Sequence, residues 1–214
     1  MIRTKAFKAI ELLLLFVLIP LSYVLNYPLI LKAAFAIGGF VYILWILKKD
    51  ENISFKIASN VNWKVFWERL LVTFLAVILL TTLYVFTQEP ANLFFVPFNK
   101  PGLYSAILVI YTFFSVWPQE IIYRTFFLNR YRELFRSKSL LIFINALVFS
   151  LAHFFFRNTL VLVLTFLGGI IFALTYLKFK STTLVCIEHA VYGNWLFTVG
   201  MGGMLGFPGM DASV

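Results

Sequence analysis

The sequence predicts an all-α, polytopic membrane protein, a bundle of about seven transmembrane helices. Of its 214 residues, 62% are hydrophobic and 13% are charged, whereas a soluble domain is about 45–50% apolar and about 25% charged. The apolar residues form long segments without strand-like alternation, and basic residues are concentrated in every second connection between them. This composition excludes a soluble enzyme domain and a disordered chain.

Seven apolar segments account for most of the chain, and most are close to the roughly 20 residues that a membrane helix needs. They span residues 9–25, 29–47, 66–87, 103–129, 139–156, 159–177 and 182–200. A membrane β-barrel would need shorter, alternating runs. The first segment follows Arg3, Lys5 and Lys8 and resembles a signal peptide. No small-residue cleavage site follows it, so we expect a retained helix.

The order of the segments divides the chain into three parts. Residues 1–102 hold three predicted helices, 103–200 hold four, and 201–214 form a glycine-containing tail that we expect to be irregular. Gly168 and Gly169 in the sixth segment favour a close approach between helices.

The charge distribution predicts the orientation. The net charge is +9, and 14 of the 18 Lys and Arg residues lie at the N-terminus and in the stretches 48–69, 130–138 and 178–182. The positive-inside rule then predicts an integral protein of the inner or plasma membrane with a cytoplasmic N-terminus. This distribution makes membrane lipid the expected partner of the basic loops, not nucleic acid. Aromatic residues suggest that 48–69 contains an interfacial segment; they are Phe55, Trp63, Phe66 and Trp67.

Charges inside apolar segments are costly, and they are usually paired or functional. Glu120 and Arg124 are four residues apart, which places both on one helix face, and we expect Pro118 to kink or restart that helix. The two residues form either a structural ion pair or a pair in which Arg124 holds Glu120 ionised as a general base.

Both histidines of the chain lie in other apolar segments. His153 has Asn145 as its expected polar partner, and His189 follows Glu188. One carboxylate and two imidazoles on three helices suit the activation of a water and the stabilisation of an oxyanion. Cys186, the only cysteine, excludes an internal disulfide and is expected to be a packing residue.

Three motifs resemble those of the CPBP intramembrane endopeptidases, the family that includes type II CAAX prenyl endopeptidases and bacteriocin-processing or immunity proteins. The first family motif, Glu-Glu-x-x-x-Arg, corresponds to Gln119–Arg124. The second, Phe-x-x-x-His, corresponds to Phe149–His153, and the third, His-x-x-x-Asn/Asp, to His189–Asn194. The resemblance covers residues 103–200 and marks them as a CPBP-like catalytic core.

The resemblance implies an endopeptidase that hydrolyses a peptide bond of a membrane-anchored or lipidated protein. A motif-one glutamate, here Glu120, and His153 would activate water. His189 and Asn194 would stabilise the tetrahedral oxyanion, while Arg124 would orient Glu120.

Two departures from the family pattern affect the expected site. Gln119 replaces the first glutamate, so either Glu120 is the base or the protein is an inactive relative. Glu188 is a third source of a carboxylate, although neighbouring helix positions point about 100° apart. Asn194 follows His189 by five residues instead of four, and a π-bulge at Gly193 would bring its side chain back towards His189.

A metal-free mechanism is favoured, and no cofactor is expected. A zinc ion would find at most the sparse set of Glu120, His153 and His189. Two alternatives remain. One is an inactive immunity or scaffold protein of the same fold. The other is a proton-coupled transporter with a relay of Glu120, His153 and Glu188, for which the expected internal repeat is missing.

Overall fold

The computed structural model describes residues 4–49 and 61–212. These residues contain no β-strand, which confirms the all-α prediction, and each predicted apolar segment coincides with a long helix. The helices are α1 (Lys5–Leu13, continued by a π-helical stretch Leu14–Leu18 and by Ile19–Ser22), α2 (Leu29–Lys48), α3 (Trp63–Gln88), α4 (Pro101–Arg130), α5 (Lys138–Leu151), α6 (Thr159–Phe179) and α7 (Thr182–Val199). A short helix, Phe95–Asn99, precedes α4.

Five helical regions of the described chain are long and apolar enough to cross a membrane. They are Leu29–Lys48, Trp63–Gln88, Pro101–Arg130, Lys138–Phe156 and Thr159–Phe179. Large apolar side chains lie on their outer surfaces, for example Leu29, Val72 and Phe114, which are 80%, 70% and 76% exposed. Such surfaces suit contact with lipid. The chain is therefore an integral membrane protein, while the count of seven spans stays a prediction.

Helix α4 contains two π-helical stretches that the sequence did not predict, Tyr111–Val116 and Ile121–Phe126. The helix continues through Pro118, so the predicted restart does not occur, and the predicted kink stays a prediction. Proline has no amide hydrogen, and its ring crowds the carbonyl four residues earlier. A π-helix bonds to the fifth residue, so the turn that precedes Pro118 is already widened.

The described chain divides into two compact units. The first comprises Met1–Lys56 and Pro118–Thr182, and the second comprises Ile57–Trp117 and Thr183–Val214. The first unit thus holds α1, α2, the end of α4, α5 and α6. The second holds α3, the beginning of α4, nearly all of α7 and the tail. The three-part division by sequence order stays a prediction.

An aromatic cluster and a partly buried ion pair join α1 to the end of α4 in the first unit. Phe16 packs against four rings, those of Tyr123, Phe126, Phe127 and Tyr131. Arg130 Nε donates to Glu11 Oε2 at 2.9 Å, and the Tyr42 hydroxyl donates to the same carboxylate. From the sequence alone, Arg130 resembles a loop charge, and Glu11 is not among the predicted site residues.

Helices α5 and α6 approach closely at one glycine. A Cβ atom added to Gly169 would lie 2.8 Å from Ala146 Cα, so only glycine permits this contact. The prediction of close helix packing is therefore confirmed for Gly169. A Cβ atom at Gly168 would meet Phe172 of its own helix.

The tail is irregular, as expected, but it is packed against other residues of the second unit. Met210 is fully buried with Val96, Ile107 and Phe197. The amide of Ala212 donates to Asn92 Oδ1 at 2.8 Å.

The predicted interfacial segment is only partly described, because Phe55 lies outside the described residues. Trp63, Phe66 and Trp67 belong to the first turns of α3. Asn62 Oδ1 caps this helix by accepting from the amide of Val65 at 3.1 Å.

Candidate active site

Glu120 and Arg124 form a buried ion pair in the first unit. Both residues are 0% exposed, and Arg124 Nε lies 3.2 Å from Glu120 Oε2. The pairing predicted from their spacing is confirmed. Each charge would be costly to bury alone, so the pair makes both tolerable inside an apolar helix.

Arg124 has further partners that fix its guanidinium. Its Nη1 donates to Asn145 Oδ1 at 2.9 Å, and Asn145 Nδ2 donates to the carbonyl of Tyr123 at 2.7 Å. The guanidinium also lies over the rings of Phe149 and Phe172, 4.6 and 5.5 Å from their centroids. Asn145 was predicted to be the polar partner of His153, whereas in the structure its amide bonds Arg124 and the Tyr123 carbonyl.

His153 follows the C-terminal end of α5, where the chain turns. Its Nδ1 lies 2.7 Å from the carbonyl oxygen of Phe149. Because a carbonyl oxygen only accepts hydrogen bonds, Nδ1 carries the hydrogen in this contact, and Nε2 is then the acceptor nitrogen in the neutral form of the ring. The half-buried imidazole is thereby set to accept a proton or a hydrogen bond through Nε2.

Phe149 connects the ion pair with His153. Its ring contacts the Arg124 guanidinium on one side and meets the His153 ring with centroids 5.0 Å apart. Its carbonyl accepts from the same imidazole. The Phe-x-x-x-His motif therefore has a structural reason here, since the helical spacing of four lets one residue hold both groups.

Gln119 is half-buried beside Glu120 in the same turn. A glutamine side chain is neutral and offers amide hydrogens, so it can orient a neighbour or a substrate but cannot act as a general base at neutral pH.

His189 lies in the second unit on α7, which is a regular α-helix throughout Thr182–Val199. The predicted π-bulge at Gly193 is therefore wrong. The His189 ring meets the Tyr111 ring edge-on, with centroids 6.0 Å apart. A Cβ atom at Gly193 would collide with the Tyr111 hydroxyl and ring. The fourth position after His189 is glycine because the Tyr111 phenol occupies that space.

Asn194 contacts the residue next to Tyr111. Its Nδ2 donates to Thr112 Oγ1 at 3.1 Å, so the side chain faces α4 rather than lipid. Its Oδ1 is buried without a hydrogen-bond partner among the described residues. In a regular helix, a residue five positions on is rotated about 140° from the first. Asn194 thus does not share the helix face of His189.

Glu188 and His189 point in different directions, as expected for neighbours on a helix. Glu188 Oε1 accepts from the Tyr192 hydroxyl at 3.1 Å. That hydroxyl also lies 3.3 Å from the carbonyl of Leu70 on α3. Cys186 packs with Val116 and Ala190, which agrees with its expected packing role.

No group of three His, Cys, Asp or Glu side chains that could hold a metal ion occurs in the described part of the chain. The sparse zinc set considered from the sequence does not appear as such a group.

The region that carries these residues matches a known family. Residues 101–205 match the type II CAAX prenyl endopeptidase Rce1-like family, a range of about half the chain that includes all three motifs. No curated protein and no solved structure matches the chain. Residues 101–205, just under half of the chain, thus carry the sequence of the type II CAAX prenyl endopeptidase Rce1-like family.

Proposed function

We propose that this protein is an intramembrane endopeptidase that hydrolyses a peptide bond of a membrane-anchored or lipidated protein or peptide. The observation that carries the proposal is the continuous contact from Glu120 through Arg124 and Phe149 to His153, inside the region that matches the family. A purely structural ion pair accounts for Arg124 and Asn145. A structural ion pair does not explain why the same series of contacts ends at the imidazole of His153.

In the proposed reaction, Glu120 is the general base. It removes a proton from a water molecule while His153 Nε2 accepts the second hydrogen of that water, and the water oxygen attacks the scissile carbonyl carbon. Glu120 then returns the proton to the leaving amine as the carbon–nitrogen bond breaks. The products are a carboxylic acid and an amine, which exchange one proton to give a carboxylate and an ammonium ion, and these steps use no metal.

The tetrahedral intermediate carries negative charge on the former carbonyl oxygen, which needs hydrogen-bond donors. The family resemblance assigns this role to His189 and Asn194. The contacts within the second unit favour His189 together with the Tyr111 hydroxyl, which lies where a side chain at position 193 would begin. We assign Asn194 a positioning role through Thr112.

Glu188 is assigned a structural role, because its carboxylate accepts from Tyr192 on the side of α7 that faces Leu70. Gln119 is assigned to orient its neighbour Glu120 or the substrate. With Glu188 structural and Gln119 neutral, Glu120 is the carboxylate that remains to act as the general base.

The proposal can be tested with the full-length protein in proteoliposomes, with a prenylated peptide that ends in a CAAX sequence as the probe and mass spectrometry of the products. Glu120→Gln and His153→Ala should each abolish cleavage while the protein still inserts. Glu68→Gln, which removes an exposed acid of α3, is the matched control and should cleave at the wild-type rate. Wild-type cleavage by either active-site variant would overturn the assignment.

One observation favours a second candidate, an inactive immunity or scaffold protein with the same fold. Gln119 stands where the family has its first glutamate. If the wild-type protein cleaves no membrane-anchored peptide and Gln119→Glu gains cleavage, the natural protein is the inactive relative.

A further inference from the structure

A basic pocket lies in the first unit at the ends of three helices. Its volume is about 440 Å³, and its lining includes Arg132, Arg136, Lys138 and Lys180 together with the apolar side chains of Leu141 and Leu177. The lining contains no acidic residue. The proposed hydrolysis makes no use of this pocket.

The four cations have no acidic partner within ion-pair distance in the part of the chain that the structure describes. Glu133, the acid of the same loop, pairs with Lys8 instead. Burial and the neighbouring charges of Arg132 and Lys138 lower the pKa of Lys180, as expected where like charges crowd together.

The helix that begins at the pocket adds to this positive potential. Lys138 is the first residue of α5, and Ser137 is its N-cap. The amino end of a helix carries a partial positive charge, so a lysine there is unfavourable unless an anion lies nearby. The clustered positive charges therefore repel one another and destabilise this part of the protein, whereas a bound anion would compensate them.

The position and the walls of the pocket indicate the kind of anion. Arg132 follows the span that ends at Arg130, Lys138 begins the next one, and Lys180 follows the span that ends at Phe179. The cations thus lie at the margin of the apolar region, while Leu141 and Leu177 belong to the spans themselves. A ligand with a phosphate group and an attached hydrocarbon chain matches both features, as in basic sites between membrane helices.

We propose that this pocket binds the headgroup of an anionic phospholipid from the adjacent leaflet. The phosphate contacts the four basic side chains, and the first part of an acyl chain lies against the two leucines. Free phosphate shares the charge but not the hydrocarbon chain, and it would gain nothing from the apolar walls.

The test is native mass spectrometry of the full-length protein in detergent, titrated with phosphatidylglycerol, phosphatidylcholine or inorganic phosphate. Phosphatidylglycerol should bind at least tenfold more tightly than phosphatidylcholine. The double variant Arg136→Gln/Lys180→Asn should weaken phosphatidylglycerol binding about thirtyfold, from the usual contribution of a basic residue near an anionic surface. Asparagine is chosen because Lys180 has a positive φ of 51°, which asparagine tolerates.

A matched control removes two exposed basic residues elsewhere, Lys48→Gln/Lys64→Gln, and should leave lipid binding unchanged. The charge-preserving variant Arg136→Lys/Lys180→Arg should also bind normally, and melting curves identify any variant that fails to fold. If the first double variant does not fold, Arg132→Gln/Lys138→Gln provides the same test. Equal affinity for phosphatidylcholine, unchanged binding by the charge-removing variants, or inorganic phosphate binding as tightly as the lipid would each overturn the proposal.

Discussion

The hydroxyl of Tyr111 occupies the space in which a side chain at Gly193 would begin. The same ring meets His189 edge-on. The family motif places an asparagine or aspartate four residues after the histidine, so a phenol from α4 here stands where an α7 side chain is expected. One hydrogen-bond donor can replace another at this position, because an oxyanion requires a donor and not a particular residue type.

Tyr111→Phe should lower kcat about a hundredfold, the usual effect of losing one oxyanion donor, and should leave KM nearly unchanged. Cleavage of the prenylated probe peptide in proteoliposomes measures both constants. Tyr104→Phe is the matched control, since it removes another hydroxyl of the second unit, one that bonds Thr198. An unchanged kcat in Tyr111→Phe would exclude Tyr111 from the reaction.

Gly193→Ala should destabilise the protein by about 1–3 kcal/mol, because the added methyl group would overpack the contact with Tyr111. Tyr111→Ala in the same chain should recover much of this loss, giving a coupling energy in a double-mutant cycle. Thermal unfolding in detergent measures the four proteins. Gly38→Ala is the control, because a Cβ atom there meets nothing within 4 Å. Strict additivity would contradict the contact.

Arg124→Gln should be strongly destabilising, by about 3–5 kcal/mol, because it leaves the buried carboxylate of Glu120 without its cation. The double variant Glu120→Gln/Arg124→Gln should be more stable than the single variant, since no lone charge remains. The comparison pair is Lys64 and Glu68, which has the same spacing but is exposed. Lys64→Gln should change stability by less than about 1 kcal/mol.

The basic loops predict which residues face the cytoplasm. In a Cys186→Ala background, cysteines at Lys5 and Ser139 should react with an impermeant maleimide only from the cytoplasmic side, and a cysteine at Asn99 only from the opposite side. Labelling of right-side-out and inverted membrane vesicles distinguishes the two. Cys186 packs in an apolar cluster, so its replacement by alanine should be tolerated. The reverse labelling pattern would contradict the predicted orientation.

Local features of the sequence were predictable, and contacts between distant residues were not. The long apolar segments and the spacing of Glu120 and Arg124 depend on neighbouring residues, and the structure reproduces both. Asn145 was assigned to the wrong partner, because its contact with Arg124 depends on how α4 and α5 pack.

The mistaken π-bulge has the same origin. The family motif predicts an asparagine or aspartate side chain near His189. The only such residue that follows His189 on the same helix is Asn194. The residue that fills the space is Tyr111, about eighty positions earlier. Glu11 was likewise overlooked, because its partner Arg130 is distant in sequence and resembled a loop charge.

The close contact at Gly169 has a consequence for genetic screens. The Ala146 backbone that it touches is adjacent to Asn145, which holds Arg124 in place. A single added methyl group on α6 would push on the helix that carries this amide, although α6 contains none of the three motifs. Inactivating mutations recovered from random mutagenesis should therefore include substitutions at position 169. Mutagenesis confined to the motif residues would miss them.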